Sequence, residues 1–213
     1  MTQSQNQAEG NPSAITLKRA LQHYQVKRLR ATYNDLLTSQ EYGQLGEFFF
    51  TDIYAPRDFT RRNNAFKKLS HFLKDAMGAR IYSGVEKLIE LNDLSERLDD
   101  LVVEKLLALG ANETNIEALY ATAYRACDNY TERVRQIELT VTSTTFMHGM
   151  SRLAAIGWII RGVKLAAFFI GVGDVMEFLQ NGYRAFHSTA NIEKFNMIVK
   201  ERELAHLNRI YQI

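Results

Sequence analysis

Only two prolines occur in 213 residues, Pro12 and Pro56, so nothing from Arg57 to Ile213 interrupts a helix by losing a backbone donor. Apolar residues recur every three or four positions along most of that length, which predicts an all-α protein: a single-domain bundle of about seven to nine helices. With 46% hydrophobic residues the chain can bury a core of ordinary domain size. The polar opening "MTQSQNQAEGNPS" has no apolar run of the secretory kind, so residues 1–13 are expected to be a disordered tail and 14–213 the helical domain.

The periodicity sets the expected elements. Leu17, Leu21, Tyr24, Leu29 and Leu36 mark a first helix over Ala14–Leu37 whose Lys18, Arg19, Lys27, Arg28 and Arg30 form a basic outer face. A second helix spans about Glu41–Tyr54 and stops before Pro56, and Asp58 caps a third. Ile81–Leu109 is expected to break near Asn92, where Asp93 and Glu96 have capping-box spacing, and Thr114 with Glu117 announces another start. Tyr130–His148 carries helical spacing, although "LTVTSTTF" would suit a strand locally, which leaves 139–147 open. Glycines 157, 162, 171 and 173 punctuate two apolar helices, and Asn191 caps the last.

The charges narrow the function classes. Twenty-six basic against 24 acidic residues give a net charge of +2, too small a field to imply nucleic acid or membrane by itself. Charge is nonetheless segregated: six bases against Asp58 alone lie between Arg57 and Lys74, and seven acids against Lys87 and Arg97 between Glu86 and Glu104. These are either solvated faces of neighbouring helices or a basic docking helix for an acidic partner. Specific nucleic-acid binding is not expected, since exposed aromatics are not interleaved with the bases. A single cysteine, Cys127, rules out an internal disulfide and a multi-cysteine zinc site, and fits the cytoplasm.

"LAAIGWIIRGVKLAAFFIGV", residues 153–172, has the length of a bilayer span. Arg161 and Lys164 at its centre would each cost roughly 2.5 to 3.5 kcal/mol there. A buried helix of the core or of a homodimer interface is therefore expected, with a helix lying on a membrane surface as the alternative.

No catalytic or cofactor signature stands up. Glu203 and His206 have the one-turn spacing of half a di-iron site, but no second Glu-x-x-His exists, so a solvated helix face is the expectation and no metal or cofactor is assigned. "GVGDVM" lacks the third glycine of a dinucleotide loop and sets Asp174 where a phosphate would bind. No serine lies in a nucleophile elbow and no histidine is close to Cys127 in sequence. A non-enzymatic binding or interaction module follows. The alternative is a helical enzyme or cofactor binder with a haem-oxygenase-like bundle, for which His23 is the one candidate axial ligand.

The densest constellation is "EFFFTDIYAPRDFTRR", Glu47–Arg62. Helical spacing sets Asp52 on the side of Leu45 and Phe49, and Arg62 in the apolar line of Phe59 and Phe66. Asp52, Asp58 and Arg62 can therefore meet across the corner made by Pro56, either as a buried ion cluster or, with Tyr54 and Arg57, as a binding site. Asp58 as N-cap would occupy the donors that a phosphate needs.

This stretch resembles the signature of the bacterial FFLEELY-motif proteins. Phe48, Phe49, Tyr54, Pro56, Arg57, Asp58 and Phe59 match, whereas Phe50, Thr51, Asp52 and Ile53 stand in place of Leu-Glu-Glu-Leu. "LNDLSERLDD" and "FLQNGYRAFHSTANIEKFNMIVKERE" are also similar to that family. The resemblance implies a bacterial origin and carries no mechanism.

Overall fold

A computed structural model describes residues 12–50, 79–154 and 173–213. Among them the chain is all-α, with eight helices: α1 Pro12–Thr32, α2 Asn34–Leu37, α3 Gly43–Phe48, α4 Ala79–Ala108, α5 Ile116–Ala126, α6 Tyr130–Ser151, α7 Gly173–Ser188 and α8 Ile192–Tyr211.

Two apolar cores lie end to end. The first gathers Leu17 and Leu21 of α1, Val102, Val103 and Leu106 of α4, Tyr120 and Ala123 of α5, and Leu207 and Ile210 of α8. The second joins Leu29, Tyr33 and Leu36 to Tyr42, Leu45, Phe48 and Phe50, and to Ala185, Phe186, Ile192 and Phe195. α1 enters the first core and leaves through the second, while α8 does the reverse, so these two helices run oppositely and tie the cores together.

Several boundaries differ from the sequence expectation, each for a long-range reason. The first helix is interrupted at Tyr33, whose backbone leaves helical geometry at φ −113°, ψ 19°. Its ring is buried, and its hydroxyl is drawn 2.8 Å from Glu203 of α8. The expected break near Asn92 is absent: α4 continues through it, with Leu98, Val102 and Leu106 repeating at four-residue spacing as one buried seam beyond the capping pair. α5 starts at Ile116 rather than through Thr114 and Glu117. Asn112 and Asn115 build the turn: Asn115 Oδ1 accepts from the Asn112 N–H and Asn112 Oδ1 from the Thr114 N–H, while Glu117 pairs with Lys27.

The stretch left open, 139–147, is helical within α6. Thr140, Thr142, Thr144 and Thr145 donate their hydroxyls back to carbonyls three or four residues earlier, which hides the polar groups that β-branched residues bring. Thr144 also donates to Asn196 of α8, so the run is selected by its helix neighbours rather than by local propensity. Asn191 caps α8 as expected, accepting from the Lys194 N–H at 2.9 Å.

Two glycines set close approaches. A Cβ on Gly84 would lie 2.1 Å from the Phe146 ring, so α4 meets α6 there because no side chain intervenes. Gly182 of α7 lets Phe48 within 2.9 Å of where its Cβ would stand. The expected third helix over residues 58–76 and most of 153–172 lie outside the described residues.

Candidate functional site

The aromatic motif is described from Glu47 to Phe50, and these residues are its root. Phe48 and Phe50 are only 4% and 6% exposed. Phe48 contacts the rings of Phe178 and Phe186 at 5.2 and 6.0 Å between centroids, and Phe49 those of Phe186 and Phe195 at 6.3 and 5.9 Å. All three phenylalanines therefore face α7 and α8 or α1. A plain helix could not turn consecutive residues inward; the chain widens into a π-helical turn at Phe49–Phe50, which changes the angular step between them.

Polar groups fix the same root from outside. Arg30 of α1 donates from Nη1 and Nη2 to the two carboxylate oxygens of Glu47 at 3.2 and 3.1 Å, and its guanidinium lies 5.4 Å from the Phe50 ring centre. Phe50 stacks on Tyr33 at 6.4 Å, and Arg202 lies over the other partner, 5.6 Å from the Tyr33 ring, while it clamps Asp35 at 2.7 and 2.8 Å. The Arg202 hydrogen bonds hold the Asp35 carboxyl down at about 2. Asp52, Tyr54, Arg57, Asp58 and Arg62 lie outside the described residues, as does the ion cluster expected of them.

A second polar set lies where the cores meet. Arg28 Nη1 donates to both oxygens of Glu203 at 2.7 and 2.9 Å, and Tyr33 adds its hydroxyl at 2.8 Å. Burial alone would lower the Arg28 pKa, but the Glu203 charge and hydrogen bonds raise it above the ordinary arginine range. Glu203 thus accepts from two donors, with its charge balanced by Arg28. The expected solvated face at Glu203 and His206 is corrected: both are partly buried, because α8 presents this side to α1. Burial, then the nearby Arg28 charge, pushes His206 down to about 4, and its Nε2 has no partner. Among the described residues no group of three or more His, Cys, Asp or Glu is placed to hold a metal.

Arg133 is the other buried cation, 3% exposed. Its guanidinium lies 4.2 Å from the Tyr124 ring centre, and Nη2 donates to the Leu98 carbonyl at 3.1 Å. Asp99 accepts from Gln25 at 2.9 Å, and burial pushes its carboxyl up. Three acids of α4 pair with neighbouring helices: Lys18 donates to Glu96 and Asp100, and Arg135 to Glu90.

Sequence reasoning missed Arg28, Tyr33 and Arg133 as interior groups. The signal for Arg28 was its spacing. Leu17, Leu21, Tyr24 and Arg28 continue one line at helical intervals, and an arginine in such a line faces the interior. His23, the candidate haem ligand, stands exposed on α1 with Nδ1 2.8 Å from the Arg19 carbonyl, the position of a surface histidine. Cys127 is half-buried, its thiol 3.3 Å from the Ala123 carbonyl and pushed up by burial, which disfavours the thiolate. Gly173 opens α7, and no strand occurs among the described residues to frame a dinucleotide loop.

Together these features define an all-α domain whose polar interior is largely engaged in holding helices together. The chain belongs to the family of the domain of unknown function DUF8198, whose model matches residues 3–213. Neither a curated protein nor a solved structure matches it. No helix among the described residues is long and apolar enough to cross a membrane.

Proposed function

We propose that the protein is a non-enzymatic binding module of the bacterial cytoplasm that takes a protein partner through the polar half of its motif, Asp52, Tyr54, Arg57, Asp58 and Arg62. The observation that carries this reading is the packing of the aromatic root, Glu47–Phe50. Phe48, Phe49 and Phe50 are taken up by the second core, Arg30 holds Glu47, and Tyr33 stacks on Phe50. The residues beyond Phe50 combine tyrosine, arginine and aspartate, and tyrosine and arginine are enriched in protein-binding hot spots. A rigid root beneath them lowers the ordering cost of binding. Asp58 at the expected helix start argues for a protein partner over a phosphorylated metabolite. The resemblance to the FFLEELY-motif proteins supports the bacterial setting, and the lone cysteine the reducing compartment.

The test is purification of the tagged chain from its own cells, identification of any stoichiometric companion, and reassembly from pure components. Reassembly that Arg57→Ala or Tyr54→Ala abolishes, with unchanged melting, supports the reading. Loss of binding in step with loss of stability makes the corner structural. A thermal shift by a nucleotide or phosphosugar that Arg57→Ala removes makes it a metabolite site instead.

A further inference from the structure

The ends of α6 and α7 meet at a corner whose basic side chains have no acid bound to them among the described residues. Arg152 Nη2 donates to the Thr189 carbonyl, which also lies 3.0 Å from His148 Nε2, and His187 Nδ1 lies 2.8 Å from the Ser151 carbonyl. Each helix end is thus capped by the other's basic group, which satisfies carbonyls that α6 and α7 leave open. Capping uses only part of this charge. Arg152 is exposed, and Arg184, one turn before His187, is exposed and bonds only within its own helix, to Asn181 Oδ1 at 2.7 Å and the Gln180 carbonyl. Among the described residues no carboxylate forms an ion pair with Arg152 or Arg184. Lys27, Arg30, Arg97, Arg135 and Arg202 each hold a carboxylate of another helix. Leu153, 44% exposed, adds an apolar group directly beside Arg152.

We propose that this corner docks on an anionic membrane surface, with Arg152 and Arg184 facing lipid phosphates and Leu153 at the headgroup boundary. Charge complementarity selects the occupant: two guanidiniums on neighbouring helix ends, neither held by a described carboxylate, match a surface of repeated phosphates, and an apolar neighbour matches its interface. The site is separate from the motif and stands or falls independently of it.

Sedimentation of the full chain with phosphatidylcholine vesicles, with and without phosphatidylglycerol, tests this at low and high salt. Binding is expected only to the anionic vesicles, weakening with salt. Arg184→Gln should lower the affinity about fivefold, and Arg152→Gln with Arg184→Gln about 25-fold. Arg19→Gln, on an exposed turn of α1, should change little. Arg184→Gln keeps the test valid if Arg152→Gln disturbs the helix ends. Equal binding to neutral vesicles, unchanged binding of Arg184→Gln, or no binding overturns the proposal. So does binding to polyglutamate, or a thermal shift by inorganic phosphate that Arg184→Gln removes, when vesicles are not bound.

Discussion

Arg28 and Glu203, 175 residues apart, meet at 2.7 and 2.9 Å across the join between the two cores. α1 and α8 each traverse both cores, so this pair with the Tyr33 hydroxyl sets their relative register. Removing one partner strands the other in a partly buried setting. Arg28→Ala is expected to cost about 2 to 4 kcal/mol in urea melts. Arg28→Met with Glu203→Leu should recover much of that loss, since neither charge is then left alone. A loss below about 0.5 kcal/mol for Arg28→Ala would show that water replaces the pair freely.

Gly84→Ala is expected to destabilise by about 1 to 3 kcal/mol, because its Cβ would fall 2.1 to 2.5 Å from three atoms of the Phe146 ring. Phe146→Leu in the same chain should relieve part of the clash. Thermal melts of the single and double variants read this directly.

Acid should weaken the fold in two distinguishable steps. His206 is held at about 4 in the folded chain, against roughly 6.5 when unfolded, so the unfolded state binds the extra proton between those values. Stability is then full above about pH 6.5, falls as pH drops toward 4, and changes little further from this group below it. Asp35, held at about 2 by Arg202, has the same sign at lower pH: its contribution is present above about 4 and is lost as pH falls through 2. His206→Gln should flatten the upper step alone and Asp35→Asn the lower one, as measured by urea midpoints across pH.

The fold class was legible because proline spacing and apolar periodicity are local properties, and Asn191 was legible because a cap is read within one turn. Other features depend on residues distant in sequence. Nothing near Asn92 tells that Leu98, Val102 and Leu106 will bury a continuous α4 against its neighbours. Nothing near Leu139 tells that Asn196 will take the Thr144 hydroxyl. Arg28 was grouped with the basic face because its neighbours in sequence are basic, yet its position in the line of Leu17, Leu21 and Tyr24 already pointed inward. For the motif, the run of phenylalanines identified a junction. The π turn at Phe49–Phe50, where Phe48 packs on α7 and Phe50 stacks on Tyr33, depends on those distant partners and has no local signature.

The proposed division of the motif at Phe50 into an anchor and a reader is tested most directly by paired urea melts and binding assays of Phe48→Ala and Arg57→Ala against the reassembled partner. Phe48 packs on Phe178, Phe186 and Gly182, so Phe48→Ala should cost about 3 to 5 kcal/mol. Arg57→Ala should leave the melt within about 0.5 kcal/mol of the parent and abolish binding. An Arg57→Ala chain that loses several kcal/mol, or that binds as well as the parent while folded, would contradict the division.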